Sequence, residues 1–137
     1  MAISESYIKL QREILGRGPQ ETKTYIIRDM VIIRMKGVLT QEEKHLVKTE
    51  KGKQLVKMMR HVLREQYSEK TEEIISQITG CKVVSSHSDI STKLGEQVEL
   101  FILDKDLEKL LKERIEQEAV TGRQNTGDSR TRVPGIT

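Results

Sequence analysis

A chain of 137 residues is long enough for one domain with a genuine core, but 35% hydrophobic against 33% charged residues keeps that core small. The net charge of +3 is too slight and too unsegregated for a strong nucleic-acid binder, and the one cysteine, Cys81, excludes an intrachain disulfide and a cysteine-rich zinc site. A single cysteine fits a reducing cytoplasm, the N-terminal stretch lacks an apolar h-region, and no run approaches the ~20 apolar residues of a membrane span.

In chain order, "SESYIKLQREILGRGPQ" opens on Ser4 as an N-cap, and Tyr7, Leu10, Ile14 and Leu15 follow at helical spacing. Gly16 stops this first helix, and Gly18-Pro19 turns the chain. "TKTYIIRDMVIIRMKGVL" then changes period to alternating Ile, Val, Thr and Tyr. It reads as two strands, about 22–28 and 30–38, joined by a tight turn at Arg28-Asp29 in which Asp accepts the left-handed conformation.

Thr40 and Glu43 form a Thr-x-x-Glu capping box, and helical composition continues to Ile78 with Gly80 as the stop. On a helical wheel Leu55, Val56, Met59, Val62 and Leu63 share one face, continued by Tyr67, Ile74 and Ile78. Extended backwards, that wheel puts Lys44, Lys48 and Lys51 on the apolar side and Leu46 nearly opposite. One straight helix cannot serve both halves. The chain is therefore expected to change direction at Gly52, with a short helix over 41–50 and a long one over 53–79. After Gly80, "CKVVSSHS" and "EQVELFIL" are two strands around the loop "DISTKLG". A last helix runs from Asp104 to Glu118, with Leu107, Leu110, Leu111 and Ile115 on one side.

These elements make an α+β fold: two β-hairpins form a four-stranded antiparallel sheet, with one long helix and flanking shorter helices on one face. A single domain is expected over 1–119, and residues 120–137, nearly without apolar side chains, read as a disordered tail. A sheet with one bare face commonly dimerises, so a homodimer is expected.

The succession "GRGP", "YIIRDMVIIRMKGVLT", "KTEKGKQLVK" and "SDIS" before a final hydrophobic strand resembles a small bacterial family. It is the MpsC-like family, named after the third subunit of the sodium-translocating membrane-potential-generating system. The resemblance covers about residues 4–110. It implies a small soluble accessory factor, of a kind encoded in some cases beside a membrane complex linked to bicarbonate uptake and membrane potential. No catalytic motif comes with it. Some family members carry two copies of the domain, and this chain carries one.

Among candidate sites, "SSHSDIS" (Ser85 to Ser91) has the residue types of a hydrolase triad. In a strand, however, Ser85, His87 and Asp89 share one side about 6.5–7 Å apart, whereas a nucleophile and its base need about 2.6–3.2 Å. The stretch is read as a strand end, with Asp89 and Ser91 shaping the loop and His87 on the surface or at an interface. "GRGPQ" sits at a helix C-terminus, the wrong end for a phosphate. From Lys44 to Arg64 seven basic residues face one acid, Glu50. Lys53, Lys57, Arg60 and Arg64 form a ridge on the long helix, read either as a solvated face or as a docking surface for an acidic protein loop, anionic lipid or nucleic acid. Nucleic acid is the weakest of these, because four aromatic residues leave little for base stacking. The three histidines, His45, His61 and His87, lack metal-ligand spacing.

The reading is a cytoplasmic, non-enzymatic accessory protein without cofactor or metal, a homodimer peripheral to the inner face of the membrane. Arg17, Lys53, Lys57, Arg60 and Arg64 would dock to a protein of a membrane transport complex. The alternative is a small-ligand or ion sensor with a site between Arg17 and the His87–Asp89 loop.

Overall fold

The computed structural model describes residues 2–124. Helix α1 (Ala2–Leu15) buries Ile3, Tyr7 and Leu10. Ser4 lies inside this helix and does not cap it. Its buried hydroxyl instead meets Thr24 Oγ1 at 2.6 Å, tying α1 to the first strand. Gly16 takes a φ of 77° and closes the helix with a 2.9 Å bond to the Arg12 carbonyl.

Strands β1 (Glu21–Ile27) and β2 (Met30–Lys36) form the first hairpin, in register from Glu21↔Lys36 to Ile27↔Met30. The two-residue turn is where it was expected, but Arg28, not Asp29, takes the left-handed backbone, with φ 54°. The turn is anchored from outside, since the Arg28 carbonyl accepts the Glu108 N–H at 3.0 Å.

Helix α2 (Gln41–Leu46) starts with the anticipated capping box: Glu43 N–H donates to Thr40 Oγ1 at 3.2 Å and Thr40 N–H to Glu43 Oε1 at 2.9 Å. The chain changes direction at Val47–Thr49, earlier than the glycine expected to do it. Thr49 then caps α3 (Glu50–Gln66), accepting the Gly52 N–H at 3.0 Å. Gly52 is needed for a different reason: a Cβ there would overlap the Leu46 carbonyl, so α2 and α3 meet too closely for any side chain. The helical stretch continues as α4 (Ser68–Thr79), with a bend at Tyr67 (φ −104°, ψ 7°). Hydrogen bonds from Tyr67 to Leu63 and from Thr71 to Tyr67 carry it through. Gly80, at φ 71°, ends it.

Strands β3 (Val83–Ser91) and β4 (Glu96–Leu103) form the second hairpin. The segment Asp89-Ile90-Ser91, read as loop, belongs to β3, and the turn is confined to Thr92–Gly95. The sheet order is β1-β2-β4-β3, antiparallel throughout, with the hairpins joined through β2 and β4. Asp106 Oδ1 accepts the Lys109 N–H at 2.9 Å at the start of α5 (Leu107–Gln124). That helix enters the stretch read as tail; the remaining residues of the tail reading, 125–137, lie outside the described ones. Leu107 and Leu111 are buried, while Leu110 and Ile115 are exposed.

The helices cover one face of the sheet. Val31, Ile33, Met35, Phe101 and Leu103 point into the core they share with Ile3, Tyr7, Val56, Ile75 and Cys81. The alternate residues of the strands face away from it.

Candidate functional site

Period-two alternation in β4 places Gln97 and Glu99 on the same side as Phe101 and Leu103, towards the helices. A carboxylate there is fully buried, and a buried charge needs an opposite charge and hydrogen bonds. Helix α3 supplies them. Arg64 Nε donates to Glu99 Oε2 at 2.7 Å, and its guanidinium lies 5.7 Å from the centre of the Phe101 ring. Gln97 Nε2 and Ser88 Oγ each donate to Glu99 Oε1 at 2.7 Å.

One turn earlier, Arg60 is 7% exposed and Glu43 2%. Arg60 forks onto Glu43, Nε to Oε2 at 2.7 Å and Nη2 to Oε1 at 2.5 Å. It also donates to the Val38 carbonyl at 2.6 Å. Glu43 thus caps α2 and neutralises α3 at once. Burial pushes its carboxyl upward, but the Arg60 hydrogen bonds and charge and the Thr40 N–H hold it below the ordinary carboxylate value. Tyr7 lies beside this network. Burial, reinforced by the Glu99 charge, raises its phenol well above the usual range, and Arg64 only partly offsets them.

Beside the two arginines a groove of about 220 Å³ opens between α3 and β3, lined by Lys57, Arg60, His61, Arg64, Ser88 and Asp89 among others. Its strongest polar groups are engaged with one another. In "SSHSDIS" the hydroxyls give their protons to carboxylates, Ser86 to Glu72 at 2.9 Å and Ser88 to Glu99 at 2.7 Å, and neither is bonded to His87. His87 pairs with Leu100 in mid-strand, on the face away from the helices. Asp89 accepts its neighbour Ile90 N–H at 2.9 Å, and Ser91 shapes the turn, accepting Leu94 N–H on its hydroxyl and Gly95 N–H on its carbonyl.

The residues expected to form a docking ridge part company. Lys57 is exposed and Lys53 is half-buried, the latter 4.0 Å from Glu50, while Arg60 and Arg64 turn inward to buried acids. Four cations on one helical ridge would all face solvent only if nothing opposite attracted them, and Glu43 and Glu99 do. Arg17 donates to the carbonyls of Leu39 at 2.9 Å and Gly37 at 3.2 Å, clamping the segment after β2. Among the described residues it shares no bonding partner with His87 or Asp89.

Turning Arg60 inward displaces the apolar stripe of α3. Of the five residues the wheel placed on the core side of α3, Val56 is buried and Leu63 half-buried. Leu55 (50% exposed), Met59 (41%) and Val62 (46%) are out in solvent, with Met58 (66%) between them. The spacing 55, 58, 59, 62 is one face of a helix. Burying such side chains is worth about 1.5–3 kcal/mol each, so leaving four of them half exposed forgoes roughly 3–6 kcal/mol.

Among the described residues, no group of three His, Cys, Asp or Glu side chains is placed to hold a metal ion, and no helix is long and apolar enough to cross a membrane. Comparison with known proteins finds a match to the family model described as "Na+-translocating membrane potential-generating system (MpsC)" over residues 1–105. Two uncharacterized proteins of Bacillus subtilis (strain 168) are similar. YbcI is 42% identical over 109 residues, covering 80% of this chain and 88% of its own length. YrhF is 28% identical over 102 residues, covering 74% and 84% respectively. No solved structure matches the chain significantly.

Proposed function

The chain belongs to the MpsC family, and we propose that it serves as a non-enzymatic accessory protein that docks, through α3, onto an apolar helix of a membrane-complex protein. One observation carries this reading: α3 buries Arg60 while exposing Leu55, Met58, Met59 and Val62. An apolar stripe at positions i, i+3, i+4 and i+7 is the surface another amphipathic helix recognises, and methionines adapt it to an imperfectly shaped partner. His61 borders the stripe next to Met58 and is paired with Glu65 at 3.1 Å, so that edge of the face carries both signs. The role in membrane-potential generation or bicarbonate uptake rests on the family resemblance, and it enters this proposal as the source of the partner.

The test is co-purification from membranes with a tagged copy, comparing wild type with Met58→Glu/Val62→Glu. The double variant is expected to keep its fold and lose a partner that wild type retains. Equal retention would reject α3 as the docking face.

The groove between α3 and β3 favours a second reading, a small anionic ligand held by Lys57 and His61. A thermal-shift screen of anionic metabolites separates the two. A bound ligand at a hundredfold excess over Kd adds about 2.7 kcal/mol of stability. That gain should vanish in Lys57→Ala and persist in the Met58/Val62 variant.

A further inference from the structure

Among the described residues no element covers the second face of the sheet. Tyr25↔Ile32 and Ile32↔Leu100 set one apolar row across three strands, and Ile27↔Met30 and Met30↔Ile102 set the next. Tyr25 is 43% and Ile27 46% exposed, and the other four are only partly covered. Helix α5 does not reach over this face: its Leu107 and Leu111 wall a small cavity with Ile3, Ile26 and Ile78, on the helical side.

We infer that this face is the docking site for a second copy of the chain, sheet against sheet across a two-fold axis. Two observations favour a copy over a foreign partner. The charged rows at the other end of the face hold both signs and are already paired, Arg34 to Glu96 at 2.8 Å and Glu21 to Lys23 at 3.3 Å. Such a margin offers no net attraction to an acidic or a basic partner, whereas it can meet its own image, which an isologous interface requires. The apolar block stands off-centre beside that margin, so an opposed copy can set apolar rows on apolar rows.

The area also suffices. Four strands about 4.8 Å apart and seven residues of about 3.4 Å outline roughly 450 Å². Two such faces, with side chains standing out of the plane, reach the ~1,000 Å² of a specific interface. Because α3 lies on the opposite side of each sheet, this dimer leaves both Leu55–Val62 stripes outward and is bivalent towards any partner they bind. The dimer does not depend on that docking role.

Light scattering at micromolar concentration tests the proposal on the full chain. Wild type is expected at twice the 15.8 kDa of one chain, and Ile27→Glu and Tyr25→Lys at the monomer mass with unchanged circular dichroism. Both positions are already half in solvent, so either variant suffices if the other misfolds. Met58→Glu is expected to stay dimeric. A monomeric wild type, a dimer that survives both sheet variants, or a dimer lost in Met58→Glu would each overturn the assignment.

Discussion

Replacing Arg60 by Met is the sharpest perturbation of the buried network. Its guanidinium bonds to both oxygens of Glu43 and to the Val38 carbonyl, and lies 3.5 Å from Gln97 Oε1. Methionine fills similar volume but leaves the Glu43 carboxylate, 2% exposed, without its counter-charge. Breaking a buried pair from one side costs about 3–5 kcal/mol. For a domain of this size that lowers Tm by about 10–20 °C. Glu43→Gln removes the opposite charge and keeps a side chain able to complete the capping box. In the double variant no charge is stranded, so its loss should fall short of the sum of the singles by about 2 kcal/mol. Urea unfolding of the four proteins, followed by circular dichroism, gives the cycle. An Arg60→Met protein within 1 kcal/mol of wild type, or a coupling below about 0.5 kcal/mol, would refute the claim that this pair holds α3 in its orientation.

Three other outcomes follow from the same structure. Gly52→Ala should destabilise by about 1–3 kcal/mol in denaturant unfolding, despite alanine's better helix propensity, because its methyl meets the Leu46 carbonyl. Arg28→Gly should stabilise by about 0.5–1 kcal/mol, relieving a left-handed backbone while keeping the carbonyl bond to Glu108. Glu43 titrates in the folded protein below its ordinary 4.5, so its contribution is present above that value and is lost as pH falls through the folded one. The stability gap between wild type and Glu43→Gln should therefore narrow below pH 4.5, and a gap that widens on acidification would contradict the assigned direction.

What was legible in the sequence was local. The first hairpin, the Thr40–Glu43 capping box and the Gly80 stop are fixed by residues within a few positions of one another, and the structure keeps all three. Orientation across distance was not. A helical wheel ranks α3 by its own side chains and turns Leu55, Met59 and Val62 inward. The buried Glu99, on a strand formed thirty-five residues after Arg64, decides otherwise. A signal existed: alternation in "EQVELFIL" sets Gln97 and Glu99 beside Phe101 and Leu103, and an inward carboxylate calls for a cation such as Arg60 or Arg64. Gly52 was singled out correctly as special, but close approach of two backbones explains it, and the turn itself lies at Val47–Thr49. By charge alone Arg17, Arg60 and Arg64 read as a docking surface. Their hydrogen bonds to carbonyls and carboxylates show them holding the fold together, while the exposed stripe passed unnoticed because apolar residues on a helix read as core.

A photo-activatable cross-linker placed at position 58 in living cells reports directly on what docks against α3, with position 113 on α5 as control. An adduct with a heterologous membrane-complex protein is expected from position 58 and none from 113, mapping to an amphipathic helix of that protein. No adduct from position 58, or adducts with a second copy of this chain alone, would contradict docking through α3.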